Sequence, residues 1–175
     1  MRRAHTILLP LLLSVSPGLA EGKLSVADQA AAFEAAGFKR VGDQWRACED
    51  PGTRGYTPGI IDKVRDLNSD GLPEAIIAES STFCFGFTGV GYSLVSKQAD
   101  GSWKLMTAGP GVPAVLTTMG AENWPDLEIG GPGFCFPVER WDGKEYALHR
   151  HEYDGRPCRP TDWGVDEVAL GLCQS

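Results

Sequence analysis

The chain has 175 residues, with 23 acidic and 16 basic side chains, a formal net charge of -7 and five cysteines. That length suits one ordinary domain, and the acidic balance argues against a nucleic-acid binder, which needs a basic stripe. The 22 Gly and 12 Pro make about a fifth of the chain against about 12% in average usage, which argues against a helix bundle. The 42% of hydrophobic residues is enough for a packed core and argues against wholesale disorder.

Residues 1–20 read as a secretory signal peptide. Arg2 and Arg3 give the positive start, Ile7 to Leu13 the apolar stretch, and Gly18-Leu19-Ala20 the small residues before cleavage. The apolar stretch falls well short of the ~20 residues of a membrane-spanning helix. Cleavage after Ala20 leaves 155 residues with 14 basic and 23 acidic side chains, net -9. The expected location is periplasmic or secreted, where cysteines pair as disulfides. Residues 21–175 form a single β-rich domain in this reading.

Ser25 to Gly37 predicts a helix. Ser25 caps it, Asp28 stands at capping-box spacing, a run of alanines favours it, and Gly37 supplies the left-handed stop. The rest reads as strands: Val41 to Cys48 with a turn at Gly42-Asp43, then Gly59 to Asp66, Glu74 to Ser80, Gly91 to Gln98, Trp103 to Met106, Leu127 to Gly130, Val138 to Trp141 and Glu145 to His151. Asp100-Gly101 and Asp142-Gly143 mark hairpin turns. Thr107 to Asn123, with Gly-Pro-Gly-Val-Pro inside it, reads as a loop followed by a short helix.

A weak repeat spans about 59–106 and 120–151. Pro73-Glu74-Ala75-Ile76-Ile77 leads to Phe83-Cys84-Phe85, and Pro125-Asp126-Leu127-Glu128-Ile129 leads to Phe134-Cys135-Phe136. Each copy then reaches an Asp-Gly turn followed by an aromatic, Trp103 or Tyr146. The expected class is mainly β (α+β): a short N-terminal helix packed on two β-meander repeats, sandwich-like or as an incomplete propeller. Two blades cannot close a propeller, which has at least about four.

Asp66-Leu67-Asn68-Ser69-Asp70-Gly71-Leu72-Pro73-Glu74 places side-chain oxygens at positions 1, 3, 5 and 9. Calcium takes six to eight oxygen ligands, and Asp66, Asn68, Asp70, Glu74 and the Leu72 carbonyl are the candidate set. An EF-hand would need a glutamate at its twelfth position, where Ile77 stands. The competing reading is a solvated turn without metal. The motif resembles the calcium loops of FG-GAP and VCBS-type repeats, which implies a calcium-stabilised hairpin within a blade. Glu74 departs from that family's usual Asp, and the second copy keeps only Asn123 and Asp126. Over most of its length the chain, with Ala35-Ala36-Gly37-Phe38 and Trp124-Pro125-Asp126-Leu127, also resembles small exported proteobacterial proteins without assigned activity.

Catalytic patterns are sparse. No Gly-x-Ser-x-Gly elbow occurs. Glu49-Asp50 reads as a polar turn, and His149 and His151 as edge-strand residues rather than zinc ligands. Trp45, Trp103, Trp124, Trp141, Trp163, Tyr92 and Tyr146 read as core, with a carbohydrate-stacking or partner surface as the alternative. Phe85-Gly86-Phe87 and Phe134 to Pro137 read as an interface patch if exposed. The expected bridges are Cys84–Cys135, between equivalent repeat positions, and Cys48–Cys158, with Cys173 left over. The functional expectation is a non-enzymatic, calcium-stabilised exported domain that binds a protein or envelope component. The alternative is a small cell-wall-directed hydrolase or hydrolase inhibitor.

Overall fold

The computed structural model describes residues 22–160. The signal peptide, Trp163 and Cys173 lie outside the described residues. Helix α1 (Val26–Ala35) opens the fold: the Ser25 hydroxyl oxygen accepts the Asp28 N–H at 3.0 Å, and Ala36 and Gly37 close it. Asp28 also accepts from Lys97 Nζ at 2.7 Å and from Trp103 Nε1 at 3.3 Å, which pins the helix start to the sheet below. A short hairpin follows, β1 (Lys39–Val41) and β2 (Gln44–Arg46), turning at Gly42-Asp43.

Two antiparallel meanders make up the body. The first sheet runs β3 (Thr57–Arg65), β4 (Glu74–Ser80), β5 (Val90–Lys97) and β6 (Trp103–Pro110), in that order. The second runs β7 (Val112–Met119), β8 (Pro125–Gly130), β9 (Phe136–Trp141), β10 (Tyr146–Tyr153) and β11 (Arg156–Pro157), each strand beside the next. Neither sheet closes into a barrel. The chain is therefore β-rich α+β, as the alternation predicts.

The stretch expected as an irregular loop, Thr107 to Asn123, is instead the end of β6 and all of β7. β7 pairs only with β8, so it is an edge strand, the place in a sheet where a proline such as Pro113 is tolerated. Gly111 is the corner between the sheets. Its φ is 134°, and a Cβ there would meet Ile129 Cγ2 at 2.4 Å, so only glycine fits without movement. The expected short helix is a single 3₁₀ turn, Ala121–Asn123.

Alternation along β4 and β5 builds two cores. Ala75, Ile77 and Val95 face Ala32, Phe33 and Phe38 under α1. Ile76, Tyr92 and Leu94 face Trp124, Leu127, Ile129 and Trp141 of the second sheet. The described tryptophans are thus mainly core: Trp103, Trp124 and Trp141 are buried, and Trp45 stacks on Phe33 at 4.9 Å between centroids.

The disulfide pairing differs from expectation. All four cysteines among the described residues are bridged, but as Cys48–Cys84 and Cys135–Cys158. The physical reason is local. Cys48 follows β2, and its N–H donates to Glu79 near the end of β4, two residues before the turn that carries Cys84. Cys158 donates its N–H to the His151 carbonyl, beside the strand that Cys135 precedes. Each bridge ties a strand connection to a segment flanking its own sheet, so neither needs to span the two sheets.

Candidate binding loops and the acidic turn

The β4–β5 and β8–β9 connections occupy equivalent places in the two meanders, and each carries a bridged cysteine. The first holds helix α2 (Thr82–Phe85), capped by Ser81, whose hydroxyl oxygen accepts the Cys84 N–H at 3.1 Å. Ser81 is fully buried and donates to Asp50 at 2.5 Å. Asp50 also accepts from the Gly52 and Thr53 N–H groups and the Thr53 hydroxyl. Burial alone would raise its carboxyl; these bonds outweigh that and lower it to about 2. Asp50 is therefore a structural cap beneath the loop, in keeping with the polar-turn reading of Glu49-Asp50.

Glu79 does similar work, accepting the Ala47 and Cys48 N–H groups and the Tyr56 hydroxyl, while Arg46 packs over the Tyr56 ring at 4.5 Å. On this buried base the loop turns its phenylalanines outward. Phe87 is 100% exposed and Phe83 64%. The β8–β9 loop passes alongside: a Cβ on Gly131 would sit 3.9 Å from the Thr88 hydroxyl oxygen. In that loop Phe134 is 55% exposed and meets Tyr153 edge-on at 5.8 Å. Phe85, by contrast, lies across Gly91, where a Cβ would meet its ring at 2.3 Å.

The acidic turn links β3 to β4. Ser69 (φ 65°) and Gly71 (φ 86°) make the reversal. Its side chains fold back on the turn: Asp66 accepts the Ser69 and Gly71 N–H groups at 2.8 and 3.0 Å, Asn68 the Asp70 N–H at 3.1 Å, and Asp70 the Leu72 N–H at 2.7 Å. Among the described residues, no group of three or more His, Cys, Asp or Glu is gathered around a metal position. The donors are nevertheless all oxygens, the kind a hard cation takes. A carboxylate oxygen that accepts one N–H keeps a second lone pair.

Glu74 is set apart from the half-buried Asp66 and the exposed Asp70 by its burial. It is 1% exposed, and accepts the Leu67 N–H at 2.6 Å and the Ser96 hydroxyl at 2.9 Å. Burial, helped by the charges of Asp70 and Asp66, pushes its carboxyl up to about 7 against the hydrogen bonds from Leu67 and Ser96. Asp126 holds the matching place at the start of β8 and is 0% exposed. It accepts from Arg140 Nε and Nη2 at 2.8 and 2.9 Å, Arg150 Nη1 at 2.6 Å and Thr118 Oγ1 at 2.6 Å. Burial would raise this carboxyl as well, but those bonds hold it well below the usual range. The second meander thus neutralises its buried acid with two arginines; Glu74 has no cationic partner among the described residues.

The remaining sequence candidates stay apart. His149 is exposed and His151 half-buried, with a register shift between Leu148 and Arg150. The arginine pair on Asp126 and the cap at Ser81 escape sequence reading; only the Pro73-Glu74/Pro125-Asp126 correspondence points toward the former. No family model, no curated protein and no solved structure matches the chain.

Proposed function

We propose that the chain is an exported, non-enzymatic domain that binds a protein partner of the cell envelope through Phe83, Phe87 and Phe134, and that calcium in the acidic turn stabilises it. The carrying observation is the pair of adjacent, disulfide-tied loops that present these rings to solvent. Burying one phenylalanine is worth about 1.5–3 kcal/mol, so a rigid loop that leaves two or three outside holds binding energy in reserve. Fixing the loops beforehand lowers the entropy lost on association. Two disulfides suit an oxidising compartment, and among the described residues no helix is long and apolar enough to cross a membrane. Asp50, Glu79 and Ser81 are engaged in holding the loop base.

Calcium is supported by the contrast between Glu74 and Asp126. A buried carboxylate without a counter-charge is costly, and the second sheet meets that cost with Arg140 and Arg150. In the first sheet a cation held by Asp66, Asn68, Asp70, the Leu72 carbonyl and Glu74 would do the same. The binding claim is tested by placing a photo-crosslinking phenylalanine analogue at Phe87 and, separately, at Val26, which is 83% exposed on α1. In exporting cells the Phe87 position gives a discrete protein adduct and Val26 does not. Identical adducts from both, or none from Phe87, would contradict the proposal.

A further inference from the structure

A cleft of about 430 Å³ opens between β3, β4 and β7. Its walls are apolar on one side: Leu67 and Ile76 meet Ala114 and Val115 across the gap between the sheets. Lys63 and Arg65 line the other side. The register explains their placement. A shift between Ile61 and Lys63 breaks the alternation, so Ile61 keeps to the helix side with Ile77 while Lys63 falls opposite Ile76 and Arg65 opposite Glu74. Directly opposed residues share a face, and Ile76 faces the second sheet. The irregularity therefore turns two cations toward the inter-sheet cleft.

Both are exposed, and neither is ion-paired or hydrogen-bonded among the described residues. In a chain of net charge -7, two cations on one wall without acidic partners are a local reversal of sign. The one acid lining the cleft is Glu74, which accepts from Leu67 and Ser96 and forms no ion pair with either cation. A guanidinium and an ammonium two residues apart on one strand face suit a carboxylate or phosphate oxygen pair. The volume lies at the small end of ligand sites, which run from ~300 to ~1,000 Å³.

We propose that this cleft binds a small amphiphilic anion, with its acidic group on Lys63 and Arg65 and a short apolar body against Ile76, Ala114 and Val115. The inference stands independently of the phenylalanine loops and of calcium. The test titrates the calcium-free, disulfide-intact protein with hexanoate, hexyl phosphate, hexan-1-ol and hexylamine, following amide shifts by NMR. The anions give saturable shifts centred on Lys63, Arg65, Ile76 and Val115, and hexan-1-ol and hexylamine bind at least tenfold more weakly. Tighter binding of hexanoate assigns a carboxylate, and tighter binding of hexyl phosphate assigns a phosphate ester. Lys63→Gln with Arg65→Gln weakens both anions at least tenfold without changing the melting temperature, whereas Lys63→Arg with Arg65→Lys retains them. Equal binding of the alcohol or amine, undiminished binding by the Gln pair, or the absence of saturable shifts at these residues overturns the proposal.

Discussion

Asp126→Asn is the sharpest test of how the second sheet is held. The wild-type carboxylate receives four hydrogen bonds, three from guanidinium groups, with no exposed surface of its own. An asparagine keeps one acceptor oxygen. If that oxygen takes the place facing Arg150 and Thr118, the new NH₂ points at Arg140 Nε, donor against donor. Breaking a buried ion pair from one side costs about 3–5 kcal/mol. The side chains of Arg140 and Arg150 are 33% and 24% exposed and can turn partly to water, which brings the expected loss to about 2–4 kcal/mol. Urea unfolding at pH 7 with the disulfides intact measures it. The pH dependence supplies a second check. A carboxyl depressed in the folded state contributes stability that is fully present above its unfolded value of about 3.9 and is lost as pH falls through the folded value. The penalty of Asp126→Asn therefore shrinks as pH is lowered below about 4. A variant within about 0.5 kcal/mol of wild type at pH 7, the range of neutral surface changes, would refute the reasoning.

Three further outcomes follow from the same structure. Glu74→Gln keeps the shape at that buried position but removes the charge, so it raises the melting temperature of calcium-free protein at pH 8 and abolishes any further rise on adding calcium; a lower calcium-free melting temperature would count against the unpaired-charge reading. Calcium raises the wild-type melting temperature and Asp70→Ala removes that rise, while identical wild-type curves with calcium and with chelator would sink the calcium proposal. Replacing Cys48 and Cys84 together by serine frees a loop of sequence separation 36, and chain entropy puts the loss at about 3–4 kcal/mol; non-reducing peptide mapping should recover Cys48 with Cys84 and Cys135 with Cys158, and any other pairing contradicts the fold.

Much of the architecture was legible because its signals are local. Ser25, Asp28 and Gly37 mark α1 within one stretch of sequence, and the Asp-Gly dipeptides at 100–101 and 142–143 mark two hairpins. β7 was not legible. Its Pro113 and the glycines around it are turn residues by composition, and only the position at a sheet edge makes a proline acceptable there. Cysteine pairing failed for a related reason: repeat equivalence says which residues occupy matching places, not which lie close together. The acidic turn was visible in the sequence, but the burial of Glu74 and the arginines on Asp126 depend on strand register. Lys63 and Arg65 were hidden altogether, because a bulge decides which face they take.

The central claim is that the exposed phenylalanines are a binding surface. The direct measurement is the affinity of the protein crosslinked through position 87, once purified, for the wild-type chain and for Phe83→Ser with Phe87→Ser. Two rings at about 1.5 kcal/mol each or more correspond to roughly a 100-fold loss of affinity, with the melting temperature little changed because Phe87 is fully exposed and Phe83 is 64% exposed. Equal affinity of the two proteins would contradict the account.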